Sequence, residues 1–330
     1  MNITVTGSVA FDYIMSFPGR FADHILPEKL DTISLSFLVD EMRKVYGGCA
    51  PNISYSLALL GERPRLMATA GQDGVEYRRW LEAQGVDTSL LHICDDCFTA
   101  SFFVNTDQDQ NQIATFYAGA MARAGELSFH DLFSAGEPKP DIAIISPNDP
   151  RAMERYAVEC RELGIPYIYD PSQQVARLSG SELKTGLSGA YILILNDYEY
   201  SVLRKKTQLD QEQLLELTSV IVVTLGERGS QIITQKEVYD IPTAPPVAIL
   251  EPTGVGDAYR AGLIKGLVQG YPWPVSGRIA ALAATYVIEH PGPQPRPYTL
   301  AQFVARYRQA FGEPGALADW LPHAAETSTP

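Results

Sequence analysis

Short apolar runs alternate with helical-period segments along most of this chain. Residues 3–6, 65–70, 141–146, 167–170, 191–195 and 219–225 read as strands, several of them almost continuously apolar. Between them, residues 52–60, 74–83, 151–163, 198–205 and 211–217 repeat apolar side chains at helical spacing. Strand–helix alternation of this kind predicts an α/β fold with a central, mostly parallel sheet covered by helices on both faces. In such sheets ligands gather at the carboxyl ends of the strands.

Two stretches break the rhythm. Residues 10–46 read as extended segments at 10–16 and 32–38, joined by a loop containing proline and charge. Residues 99–118 alternate on both sides of the polar cluster Asp107-Gln108-Asp109-Gln110-Asn111, which predicts a hairpin. If the hairpin is symmetric about Asp109, Phe102 lies across from Phe116, while Phe103 and Thr115 face the other way. The Phe102–Phe116 pair is either packing or a clamp for a planar ring, because aromatic faces stack on heterocycles. Together the two stretches predict a small β-sheet lid, formed by inserts at about 10–46 and 97–121 of a single domain spanning 1–330.

Composition narrows the possible partners. The 330 residues are 45% hydrophobic and 20% charged, enough for one large domain with a full core. A net charge of −13 repels nucleic-acid backbones and acidic membranes, so no nucleic-acid polymer and no membrane partner is expected. Phosphate must then be bound locally by oriented N–H groups. The start, Met1-Asn2-Ile3-Thr4-Val5-Thr6-Gly7, reads as a first strand and not as a signal peptide. No run approaches the roughly 18 apolar residues of a membrane span. The sparse cysteines, Cys49, Cys94, Cys97 and Cys160, suit a reducing cytoplasm. Cys94-Asp95-Asp96-Cys97, with His92 upstream, has no second Cys/His pair at zinc spacing and reads as incidental thiols. The Ala-, Pro- and Thr-rich residues after Gly312 predict a frayed tail.

The densest chemistry lies in Thr253-Gly254-Val255-Gly256-Asp257-Ala258-Tyr259. Two glycines flank a small residue, an aspartate follows, and a helical pattern begins behind it. A glycine turn feeding a helix N-terminus presents N–H groups to an anion. A carboxylate repels phosphate, so Asp257 beside that anion site is suited to take a proton from an attacking hydroxyl. The run therefore points to phosphoryl transfer to an alcohol. Gly7-Ser8-Val9-Ala10-Phe11-Asp12 places a carboxylate just after the first strand, as a solvated turn or as an acceptor for two sugar hydroxyls. Gly47-Gly48-Cys49-Ala50-Pro51-Asn52 leads into a helix; Asn52 suits a helix start, and the paired glycines allow close approach to a ligand. Asn196 and Glu199 share a helical face after the 191–195 strand. Glu199 could orient waters on magnesium or simply meet the helix dipole. Thr224, Leu225, Gly226, Glu227, Arg228 and Gly229 make a glycine turn at another strand end, a ledge for a nucleotide.

With Gly47-Gly48 and Asn52, Asn196 with Glu199, Thr224-Leu225-Gly226 and Thr253-Gly254-Val255-Gly256-Asp257, the chain resembles the ribokinase-like (pfkB) carbohydrate kinase family over about residues 1–310. Within it the chain is most similar to bacterial adenosine kinases of the mycobacterial type. The supporting stretches are Phe11-Asp12, Phe17-Pro18-Gly19-Arg20-Phe21, Ser34-Leu35-Ser36-Phe37-Leu38-Val39-Asp40, Phe116-Tyr117-Ala118-Gly119-Ala120-Met121 and Asp170-Pro171-Ser172-Gln173-Gln174.

The resemblance implies an ATP-dependent, magnesium-using adenosine kinase of purine salvage, cytoplasmic and dimeric through its lid strands. It implies that Asp12, Gly48 and Asn52 hold the ribose, that Ser8 and Ser36 line the nucleoside pocket, and that Phe102 and Phe116 sandwich the purine. Gln173, Gln174 and Arg177 would complete that pocket. Asn196 and Thr224, Leu225, Gly226, Glu227, Arg228 and Gly229 would contact ATP, with Gly256 also at the phosphates. Gly254, Val255 and Gly256 would supply the anion hole and Asp257 the base; Glu199 would reach magnesium through water. The family commonly has Asp where this chain has Glu251, at a monovalent-cation site, which argues against potassium activation. A sugar kinase for ribose or fructose would share every phosphate-side motif but have no use for an aromatic clamp. A catalytically silent nucleotide sensor would not need Asp257 between its glycines and helix.

Overall fold

The computed structural model describes residues 1–26, 31–32, 34–312, 317 and 320. Its strands are β1 (Ile3–Thr6), β2 (Ala10–Ser16), β3 (Glu41–Gly47), β4 (Arg65–Gly71), β5 (Leu91–Cys94), β6 (Ala100–Thr106) and β7 (Gln112–Tyr117), then β8 (Ile142–Ile145), β9 (Tyr167–Tyr169), β10 (Ile192–Asn196), β11 (Val220–Thr224), β12 (Ser230–Thr234) and β13 (Val238–Ile241). The helices are α1 (Cys49–Leu59), α2 (Val75–Ala83), α3 (Phe129–Ser134), α4 (Pro150–Glu162), α5 (Gly180–Leu187), α6 (Asp197–Thr207), α7 (Gln211–Leu217), α8 (Val255–Val268), α9 (Trp273–Ile288) and α10 (Leu300–Phe311).

A large sheet runs in the order β13-β12-β11-β10-β9-β8-β1-β4-β5. It is parallel from β5 to β11 and antiparallel at the β12–β13 edge. Its strands are apolar on both faces because both are covered. Ile192 and Ile194 of β10 join the cluster that holds Ile53 and Leu57 of α1 and Leu263 of α8. Leu193 and Leu195 point the opposite way, to Met153 and Tyr156 of α4 and Leu203 of α6. Every strand expected for this sheet is present within one or two residues of its expected ends. The chain pattern did not reveal β5, whose four residues include His92, the short strands β12 and β13 at the antiparallel edge, or α9, which is apolar on most sides and so shows no clear period.

A second sheet, ordered β3-β2-β6-β7, carries the two irregular stretches. The hairpin has the expected register, Phe102 opposite Phe116 and Phe103 opposite Thr115. The 32–38 segment is a correction: its described residues are not in a strand, and β3 lies later. Phe37 instead packs edge-on against Phe17 and Phe21. β3 was hidden because it is an edge strand whose Glu41, Met42, Arg43 and Lys44 are all exposed, which erases alternation. The tail expected to fray lies outside the described residues except for Leu317 and Trp320, which are buried. Trp320 Nε1 donates to the Tyr271 hydroxyl at 2.8 Å.

Candidate active site

The segments after β1, β8 and β9, the N-termini of α1 and α8, and one face of the small sheet enclose a cavity of about 550 Å³. Its walls include Ser8, Asp12, Gly48, Asn52, Phe102, Phe116, Gln173, Gln174, Arg177, Gly254, Gly256 and Asp257. Residues separated by as many as about 250 positions thus meet at the carboxyl end of the sheet.

The floor is the start of α8. Gly254 precedes the helix in a left-handed conformation, φ +80°, and a Cβ there would fall 2.5 Å from Pro293 O, so only glycine fits. The first helical bond runs from Ala258 N–H to Gly254 O at 3.0 Å, so the Gly256 and Asp257 N–H groups precede it and are available to an anion. Val255 is a correction to the expected anion hole. Its N–H turns back to Pro252 O at 3.3 Å, and its side chain packs against the α9–α10 cluster rather than lining the cavity.

Asp257 Oδ2 accepts from Asn52 Nδ2 at 2.9 Å. Asn52 Oδ1 accepts from Gln294 Nε2 at 3.2 Å, and Gln294 also donates to the Tyr77 hydroxyl at 2.9 Å. Both ends of the Asn52 amide are therefore engaged, and it faces the base as well as the cavity. Enclosure pushes Asp257 up to about 7, against the pull of Arg260 and the Asn52 bond. Burial, reinforced by the Glu251 carboxylate, raises Asp12 to about 6. Gly47 leaves room for that group, since a Cβ there would lie 2.6 Å from Asp12 Oδ2.

The walls differ in character. Phe102 and Phe116 reach the cavity, while Phe103 stacks on Tyr13 across the strand at 4.7 Å between ring centroids. Buried Gln174 donates from Nε2 to Asn148 O at 2.7 Å, and its Oε1 is an acceptor without a partner among the described residues. Ser36 is a further correction: it is exposed and does not line the cavity, because its segment is anchored by Phe37 to the Phe17–Phe21 cluster.

Apart from Gly256, the residues expected to meet ATP lie outside this cavity, at the carboxyl ends of β10 and β11, where Asn196 and Thr224 are paired in register. Asn196 and Glu199 form a capping box: Oδ1 of Asn196 accepts from Glu199 N–H at 2.8 Å, and Oε2 of Glu199 accepts from Asn196 N–H at 2.9 Å. Glu199 Oε1 accepts from the Ser172 hydroxyl at 3.3 Å, and Ser172 lines the cavity, so the two regions adjoin. The turn from Thr224 to Gly229 closes through Leu225 N–H to Gly229 O at 2.8 Å, with Gly226 and Gly229 at positive φ. Leu225 packs on the core, Glu227 is exposed, and Arg228 pairs with Asp197 at 3.0 Å.

Two residues at the site were not anticipated. Arg260 forms a buried bidentate pair with Asp170, one bond at 2.6 Å from Nη2 to Oδ1 and the other from Nε to Oδ2. A basic residue three positions after Asp257, on the same face of α8, was the available signal. Cys49 lines the cavity, and burial raises its thiol well above the usual range. Among the described residues no group of three His, Cys, Asp or Glu side chains could hold a metal ion. Cys94 is a free thiol that burial pushes up to about 11.

The sequence model of the pfkB family of carbohydrate kinases matches residues 8–299. A nucleoside kinase of Methanothermobacter thermautotrophicus is 32% identical over 316 residues, 94% of this chain and 97% of its own length. The structure of Burkholderia thailandensis nucleoside kinase in complex with inosine superposes with a TM-score of 0.82 at 35% identity, covering 94% of this chain and 98% of that one. The same enzyme in complex with ADP and inosine gives 0.80 at 36% identity, covering 94% and 96%.

Proposed function

The chain belongs to the pfkB family of carbohydrate kinases, and from that premise we propose that it is an ATP-dependent nucleoside kinase that phosphorylates the 5′-hydroxyl of adenosine. The observation that carries this reading is a single cavity with Asp257 at its floor and Phe102 and Phe116 on its wall. A kinase for a bare sugar needs the floor but not two aromatic rings.

In this reading the purine lies between the two phenylalanines, the ribose hydroxyls meet Asp12, Ser8 and Gly48, and the 5′-hydroxyl faces Asp257. Asp257 takes the hydroxyl proton as the oxygen attacks the γ-phosphoryl group. The Gly256 and Asp257 N–H groups stabilise the charge on the transferring oxygens. ATP lies along the ledge of Asn196, Thr224 and Gly226. Magnesium, when bound, would supply charge neutralisation on the phosphates of the nucleotide. The donor set fits an ion brought with the triphosphate rather than caged by protein: Glu199 already accepts two hydrogen bonds, and its remaining lone pairs would be available to hold metal-bound water. The small sheet acts as a lid that excludes competing water.

A second reading, inosine as substrate, is supported by the inosine-bound Burkholderia relative and by Gln174. Gln174 lines the cavity, and its buried, unpartnered Oε1 would suit the amine of adenine and the N1–H of hypoxanthine alike once the side chain turns toward the base. A coupled ADP-release assay over adenosine, inosine, guanosine, ribose and fructose tests the proposal. Turnover with purine nucleosides far above the sugars is expected, at a rate unchanged when tetramethylammonium replaces potassium, given Glu251. Efficient turnover of ribose or fructose alone would overturn it.

We propose a cytoplasmic location, in keeping with the free thiols of Cys49, Cys94, Cys97 and Cys160. β7, exposed along its length at the sheet edge, is proposed to pair with a second copy. Light scattering at micromolar concentration should then give twice the chain mass; a monomer mass rejects the dimer.

A further inference from the structure

Arg260 is nearly fully buried on the face of α8 that meets the cavity, an expensive place for a charge unless it is tightly paired. Its partner Asp170 follows β9 and is equally buried, so the pair ties the carboxyl end of the sheet to the helix that bears the base. The third guanidinium bond, Nη1 to Gly256 O at 2.9 Å, grips the first turn of α8. A Cβ at Gly256 would lie 2.8 Å from Nη1, so the glycine that serves the anion hole also makes room for this side chain.

We propose that Arg260 is a positioning residue for the phosphoryl transfer, clamped by Asp170 so that it fixes the anion-binding turn and holds positive charge beside Asp257. The inference rests on Asp257 being the base. The groups that face Asp257 are Cys49 and Asn52 from α1, Tyr77 from α2, Asp170 after β9 and Arg260 from its own helix. Glu199 of α6 bears on the Asp170–Arg260 pair. Arg260 is the one cation in this set. It opposes the burial that would leave the base protonated, whereas Asp170 acts in the opposite sense.

The test is the pH dependence of kcat/KM for adenosine in Arg260→Gln, Arg260→Lys and Asp170→Asn, with folding checked by thermal melting. Loss of the cation should move the acid limb to higher pH by about one unit, a roughly tenfold loss at pH 6. Asp170→Asn should move the limb the other way, and Arg260→Lys should leave it in place while lowering kcat through the lost bidentate grip. A merely structural role lowers the folded fraction without moving the limb. An unmoved limb in Arg260→Gln, or shifts of the same sign in Arg260→Gln and Asp170→Asn, overturns the proposal. Should Arg260→Gln fail to fold, an Asp170→Asn limb that does not fall is enough to reject it. Asp257→Asn separates the two readings: retained turnover there defeats the base assignment, whereas its loss with unmoved limbs elsewhere defeats only the role of Arg260.

Discussion

The floor and the wall of the cavity are built on opposite terms. At the floor, Asp257 is held by Asn52, Asn52 by Gln294, and Gln294 reaches Tyr77, while the Arg260–Asp170 pair secures the turn from behind. At the wall, β7 is exposed at every residue and Phe116 is about half exposed, at 49%. The floor has little freedom and the wall has much. Transfer chemistry needs a charge and a proton acceptor placed to fractions of an ångström, whereas recognition of a flat ring needs a surface that can close on it.

The contrast breaks most sharply at Asp257. Asp257→Asn should lower kcat by about 10²–10⁴ with a melting temperature close to wild type, read by steady-state kinetics and calorimetry. A variant turning over near the wild-type rate would remove the floor from the chemistry. At the wall, Phe102→Ala should raise KM for adenosine by roughly 5- to 150-fold, because stacking is worth about 1–3 kcal/mol per base, and leave KM for ATP unchanged. An unchanged adenosine KM would return the Phe pair to simple packing. The smallest effect separates the two regions by pH. Asp257 must be deprotonated to accept a proton, so kcat should climb as pH rises through about 7 and fall about tenfold per unit below it. Asp12, raised to about 6, should affect only the nucleoside KM, which rises below that pH as its charge-assisted bonds to the sugar weaken.

Much of this arrangement was legible in the chain. The inner strands of the large sheet, from β4 across to β11, announce themselves because burial on both faces favours apolar runs, whereas β5, β12 and β13 at its margins did not. The Phe102–Phe116 register follows from a symmetric polar turn. Asp257 stands out because a carboxylate beside two turn glycines has few structural uses. Three features were not legible, each for a physical reason. Residues 32–38 alternate like a strand although their described part is none, while the charged edge β3 alternates not at all, and Ser36 was misplaced with them. Asn196 and Glu199 at a spacing of three signal a shared helical face, a capping box and a ligand pair alike; the structure shows the capping box. Arg260 finds its partner 90 residues away, beyond the reach of any local pattern.

The most direct test of this division of labour is the ratio of kcat/KM for adenosine to that for ribose in wild type and in Phe102→Ala/Phe116→Ala. If the wall recognises the purine and the floor performs the transfer, the double variant loses adenosine turnover by about 10²-fold or more while any ribose turnover stays as it was, so the ratio collapses. A ratio that remains unchanged, with both substrates falling together or neither falling, would contradict the account.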